Sequence, residues 1–118
     1  MTRPVIIVHG GAWYIPQEQR EAYINGCRRA AKVGWEQLTS GASALDAVEA
    51  AVRILEDDPT YDAGRGSHFN RLDRVQTDAI IMDGKTLDFG AVAAVERIRN
   101  PISLAREVMV RSEHSLIV

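Results

Sequence analysis

Leu55-Glu56-Asp57-Asp58-Pro59-Thr60-Tyr61-Asp62-Ala63-Gly64-Arg65-Gly66-Ser67 stands between the strongest helix signal and the strongest strand signal in this chain. It decides where helix stops and how sheet begins. Pro59 disfavours α geometry in the residue before it, so the helix ends near Asp58. Gly64 and Gly66 permit positive φ, and the backbone between them can fold back on itself. A loop of this kind can turn several carbonyl oxygens inward, which suits a hard cation such as sodium or calcium. Successive N–H groups around Gly64-Arg65-Gly66-Ser67 can instead cradle an anion. An ordered connection with no ligand fits the same residues. The acids Glu56, Asp57, Asp58 and Asp62 read either as a cation site or as a solvated helix end.

Working back from this loop, Leu45, Val48, Ala51, Val52 and Leu55 recur at helical spacing. Ser43-Ala44-Leu45-Asp46 opens that helix as a capping box, with the Asp46 carboxylate at the positive helix end. Ala44, Ala47, Ala50 and Ala51 keep the helix thin. Glu49 and Arg53, four apart, are expected as a structural pair on the exposed side. Further back, Tyr23, Cys27, Ala30, Ala31, Gly34 and Leu38 give a second apolar face, predicting a helix over 17–38 with Gly41 as its stop. Cys27 falls on that face and reads as a small packing residue. Val5-Ile6-Ile7-Val8 reads as a central strand covered on both faces. His9-Gly10-Gly11 after it can present N–H groups to an anion or a catalytic residue. It can equally be a tight strand exit with a hydrogen-bonded core histidine.

Working forward, Val75–Met82 reads as a strand, Asp83-Gly84 as a hairpin turn, and Leu87–Val95 as the antiparallel partner. Small residues in the second strand predict close coverage by another layer. Asn100-Pro101 starts a helix with Asn as cap and Pro at the first position. Ser115–Val118 begins a further strand. The sequence stops inside it, so a partner segment is expected to cover its edge.

The 118 residues suffice for one domain, with 46% hydrophobic and 25% charged residues. A net charge of −2 and no basic stripe argue against nucleic acid. No apolar run approaches membrane-spanning length, and the N-terminus is too short in apolar residues for a secretory signal. One cysteine gives no internal disulfide, so a cytoplasmic location is expected. A nucleophile elbow is lacking: Gly41-Ala42-Ser43-Ala44-Leu45 has no final glycine. The His-Gly-Gly-Ala-Trp run does resemble the oxyanion loop of some esterases. No Cys/His spacing fits zinc.

Residue pattern alone therefore gives a layered α/β domain with one glycine-rich loop. The ordered series His9-Gly10-Gly11-Ala12, Ala44–Val52, Leu55–Pro59, Ala63–Ser67, Asp78–Gly84, Gly90–Ala93 and Asn100-Pro101-Ile102 closely resembles the plant-type L-asparaginase and isoaspartyl peptidase family. The resemblance runs over nearly the whole chain and covers the N-terminal, α-subunit part of such enzymes. It implies an N-terminal nucleophile hydrolase, an αββα sandwich present here in part, with residues 1–118 belonging to a single domain. It implies a precursor that cleaves itself before a threonine, whose hydroxyl then attacks the side-chain amide of L-asparagine or a β-aspartyl peptide. It also implies a β-subunit as partner, a dimer of αβ units, and no catalytic cofactor. Structural sodium would be held by the main-chain carbonyls of Leu55, Glu56, Asp58, Tyr61, Ala63 and Arg65. Gly10 and Gly11 would shape the cleavage site, with Asp62 in support.

Two departures stand out. The segment carrying the threonine, its substrate-binding arginine and its oxyanion threonine is absent, so this chain alone is expected to be inactive. Asp62 also replaces the asparagine usual before Ala-Gly, which adds charge where that asparagine helps position the threonine. The competing expectation is a non-catalytic fragment or binding module that needs a complementary chain.

Overall fold

Residues 3–118 are described by a computed structural model. A 3₁₀ turn at Gln17–Gln19 leads into α1 (Arg20–Thr39), which is followed by α2 (Ala44–Asp57). After the glycine loop come β1 (Thr77–Met82), β2 (Phe89–Val95), α3 (Pro101–Arg111) and β3 (Leu116–Ile117). The sheet order is β1-β2-β3, with β1 antiparallel and β3 parallel to β2. The α3 helix is thus the crossover between the two parallel strands.

Two apolar clusters result. Tyr23, Ala30, Ala51, Leu55 and Tyr61 join α1, α2 and the loop, with Ile6 and Val8 packed alongside. Ile81, Val92, Ile102, Ala105 and Val108 join α3 to one sheet face, with Leu45 and Val52 of α2 reaching in. The α2 helix therefore serves both cores. The expected coverage of the second strand is met. A Cβ at Gly90 would collide with the backbone of α3 at Ala105 and Met109.

Helix ends follow the sequence closely in two places. Gly41 has φ +91°, and the Gly41 and Ala42 N–H groups donate to the carbonyls of Leu38 and Gln37, closing α1 in a Schellman turn. At the start of α2, Ser43 accepts from the Asp46 N–H, and the Asp46 carboxylate accepts from the Ser43 N–H. This is the capping box in full.

Elsewhere the structure corrects the sequence. No strand forms at Val5–Val8: none of the three strands reaches it, Ile6 and Val8 face the helices, and Ile7 is 89% exposed. The hairpin connection is longer than Asp83-Gly84. It runs over residues 83–88, because Leu87 donates back to the Asp83 carbonyl and Phe89 opens β2. Ala94 has φ +53° inside β2, at a register break, and donates to the Asp78 carboxylate at 2.7 Å. The aspartate takes the place of a ladder carbonyl at this bulge.

Glu49 does not pair with Arg53 on an open face. It turns toward α3, where it accepts from Ser103 Oγ and Arg106 Nη1, both at 2.6 Å. Arg106 also donates to Asp46 at 2.7 Å, so one guanidinium ties two turns of α2 to α3. Burial opposes the charge on Glu49, but Ser103 and Arg106 outweigh it and hold its carboxyl below the usual range. The bond from Ser43, then that from Arg106, hold Asp46 down at about 2.

Glu56 is the largest departure. It is 2% exposed rather than part of a solvated end. Its Oε1 accepts the Ile102 N–H at 2.8 Å and its Oε2 the Asn100 amide at 3.0 Å. Asn100 makes no side-chain cap bond of its own. The acceptor at the start of α3 is instead a carboxylate from α2. A helix begins with unpaired N–H groups and partial positive charge, and Glu56 answers both.

Glu56→Ala strips the buried Ile102 N–H of its acceptor and should cost the whole protein about 2–3 kcal/mol. Glu56→Gln keeps one acceptor and should cost less, about 1 kcal/mol. Urea unfolding measures both. Asp46 lies below its unfolded value of 3.8, so its contribution is complete above that pH and is lost as pH falls toward 2. Asp46→Asn should flatten the acid-side stability loss between pH 4 and 2, read by thermal melts across that window. Glu56, which burial pushes upward, works in the opposite sense and leaves that comparison intact.

Candidate functional site

The site gathers where the segment after Val8 meets the loop after α2. His9, Gly10, Gly11, Trp13, Tyr23, Leu55, Tyr61, Asp62 and Ala63 surround a cavity of 210 Å³. Six of the nine residues singled out from the sequence are among them: Gly10, Gly11, Leu55, Tyr61, Asp62 and Ala63; Glu56, Asp58 and Arg65 are not.

Tyr61 is the post of this arrangement. It is 3% exposed, and its hydroxyl donates to the Tyr23 carbonyl at 2.5 Å. Its ring meets Tyr23 edge to face at 5.2 Å between centroids, and Tyr23 meets Trp13 likewise at 5.8 Å. Burial, with Cys27 beside it, pushes the Tyr61 phenol upward, so it remains a neutral donor. Gly10 sits against this post: a Cβ there would lie 2.7 Å from Cys27 Sγ and 2.9 Å from the Tyr61 ring. Cys27 thus packs, as its helical position implied. Gly11 has φ +110°, and its N–H donates to His9 Nδ1 at 3.1 Å. His9 itself is exposed, so the histidine orders the turn from outside rather than from the core.

The loop owes its shape to space rather than to handedness. Neither Gly64 nor Gly66 has the positive φ that the sequence suggested. A Cβ at Gly64 would stand 2.6 Å from the Glu56 carbonyl oxygen. One at Gly66 would run into the carbonyls of Pro59 and Tyr61. The Glu56, Pro59 and Tyr61 oxygens are therefore drawn close to the two glycines. The Arg65 N–H donates to the Glu56 carbonyl at 2.8 Å, and the Tyr61 N–H to that of Asp58 at 3.2 Å.

The acidic side chains turn away from this centre. Glu56 faces α3. Asp57 pairs with Arg99 at 2.9 and 3.0 Å. Asp58 accepts from the Thr60 N–H and pairs with Arg29. Among the described residues no three His, Cys, Asp or Glu side chains converge as metal ligands. Asp62 alone of the four acids reaches the cavity. The partnerships of Glu56 and Asp57 with residues 99–102 were not foreseen. Only the run of three acids hinted at them.

No helix among the described residues is long and apolar enough to cross a membrane. The family model described as asparaginase matches residues 2–118. The isoaspartyl peptidase/L-asparaginase of Danio rerio is 50% identical over 111 residues, which is 94% of this chain and 36% of that protein. The plant-type L-asparaginase of Pyrococcus furiosus is 52% identical over 114 residues, 96% of this chain and 37% of that one. The isoaspartyl peptidase/L-asparaginase of Homo sapiens is 50% identical over 115 residues, 97% of this chain and 37% of that one. The chain spans a little over a third of the length of these curated relatives. With its His-Gly-Gly turn, its glycine loop and this match along almost all its length, the chain belongs to the asparaginase family of the plant-type L-asparaginases and isoaspartyl peptidases.

Proposed function

We propose that residues 1–118 are the α-subunit part of a single N-terminal nucleophile hydrolase domain acting on L-asparagine or β-aspartyl peptides. The chain supplies scaffold and loop geometry, and a threonine further along the precursor supplies the nucleophile. The observation that carries this reading is the meeting of Gly10 and Gly11 with Asp62 and Ala63 around one cavity, in a chain of this family. A cleavable threonine and its amide substrate need a rigid rim of backbone with polar groups at its edge. Gly10, locked against Tyr61 and Cys27, meets that need.

The sheet supports a sandwich. One face packs on α3. The other carries Ile80 and Met82 of β1 at 64% and 52% exposure, with Leu116 of β3 at 53%. By register Ile80, Ala91 and Leu116 form a row across all three strands. An apolar row of this kind calls for a second layer, here the remaining part of the precursor, and a dimer of αβ units completes the assembly.

The loop fits structural sodium. The donors at hand are hard main-chain oxygens, and the two glycines let the Glu56 and Tyr61 carbonyls approach the loop backbone closely. Leu55, Glu56, Asp58, Tyr61, Ala63 and Arg65 would hold the ion through their carbonyls. Sodium would brace the rim and take no part in bond cleavage. The reaction itself has no catalytic cofactor.

The full-length gene product should cleave itself to expose an N-terminal threonine and then release ammonia from L-asparagine, read by mass spectrometry and an ammonia assay. Absence of a threonine at the junction, or of both activities, overturns the reading. Replacing sodium with choline should lower the melting temperature in a concentration-dependent manner. Gly66→Ala, which crowds the Pro59 and Tyr61 carbonyls, should abolish that dependence. A melting temperature indifferent to sodium removes the ion from the scheme.

A further inference from the structure

Asp62 and His68 bracket the glycine loop. Asp62 Oδ1 accepts a hydrogen bond from the His68 main-chain N–H at 3.0 Å. Asp62 Oδ2 lies 3.2 Å from Nδ1 of the same histidine. The main-chain N–H of residue 68 thus holds one carboxylate oxygen while its imidazole lies beside the other, and the main-chain bond closes a ring over residues 63–67. The Ser67 N–H, donating to the Gly64 carbonyl at 3.1 Å, tightens the ring from within.

The two side chains belong to adjoining spaces. Asp62 lines the cavity of Gly10 and Gly11. His68 lines a 420 Å³ cleft with Trp13, Tyr23, Thr60 and Gly66. Trp13 and Tyr23 are shared by both. Asp62 and His68 are each more than half exposed, at 62% and 85%, so charge attraction between them is screened and weak. What the pair supplies is direction. An ionised carboxylate only accepts hydrogen bonds, whereas an asparagine amide can both donate and accept. A free aspartate at a cavity lip would spread over several rotamers.

We propose that His68 is a positioning residue. It clasps Asp62 and holds the carboxylate as a fixed acceptor at the lip of the Gly10–Gly11 cavity. The catalytic consequence rests on the hydrolase reading above, with Asp62 standing where the asparagine of the resembled family helps position the threonine. A displacement of about 1 Å in a group of this kind costs on the order of a hundredfold in rate. His68 thus makes an aspartate workable at a position where the family pattern has asparagine.

The test uses the full-length protein and has two independent readouts. The first is hydrogen exchange at the residue 68 amide, which needs no activity. Asp62→Ala should speed it about tenfold. Unchanged exchange overturns the clasp. The second is self-cleavage and asparagine hydrolysis. His68→Ala should slow self-cleavage and lower kcat about tenfold with KM unchanged, and His68→Gln, whose amide can donate to Oδ2, should recover most of the loss. Asp62→Asn with His68→Ala should be no slower than Asp62→Asn alone, since the histidine then has no carboxylate to hold. Losses that multiply in the double variant, or a His68→Ala protein within twofold of wild type, overturn the proposal. A wild-type protein that neither cleaves nor hydrolyses overturns the hydrolase reading instead, and exchange still decides whether the main chain at residue 68 holds Asp62.

Discussion

A buried carboxylate against a helix N-terminus holds this chain together. Removing Glu56 from water is costly, and burial pushes its carboxyl above the ordinary range even though the Ile102 N–H and the Asn100 amide favour its charge. The arrangement persists because the alternative is worse on both sides. Without Glu56, the first turn of α3 would bury an N–H with no acceptor. Without α3, Glu56 would lose both hydrogen-bond donors that hold its carboxylate. Each element satisfies the other across 46 residues of sequence.

That mutual dependence explains why one thin helix can serve two cores. The α2 helix presents Ala47, Ala51 and Leu55 to α1, and Leu45 and Val52 toward α3 and the sheet. Apolar packing has no direction of its own, so α3 needs something to fix its height and roll on the sheet. Glu56 at one end and the Asp46-Glu49-Arg106 group further along supply two such points. The backbone contact at Gly90 then allows β2 to close up against α3.

Much of this was legible in local sequence. Ser43-Ala44-Leu45-Asp46 and Gly41 report their geometry because a cap is made within a few residues. The alternating burial along Thr77–Met82 follows from one covered sheet face. The fates of Glu49, Glu56 and Asp57 were not legible, since their partners lie more than 40 residues away and any acid would read alike. Val5–Val8 misled for a related reason: a strand needs a neighbour, which composition does not report. At the site, Gly10, Gly11 and Asp62 are named through the family resemblance, and the structure places them around one cavity. The glycines of the loop were rightly singled out but for a mistaken reason. Crowding by carbonyls, not positive φ, excludes a side chain from Gly64 and Gly66.

Glu56 also belongs to the loop, and this joins the two themes. Its side chain grips α3 while its carbonyl accepts from Arg65, against which Gly64 is pressed. The loop is therefore anchored at a residue that cannot shift without lifting α3 from its cap. Tyr61 anchors the other shoulder through Tyr23 of α1. A glycine-rich segment held at both shoulders by buried side chains is stiff despite its composition, since each anchor removes backbone freedom that glycine would otherwise keep. Stiffness there keeps the rim of the cavity in register with the Gly10–Gly11 turn, because both rest on the same tyrosine.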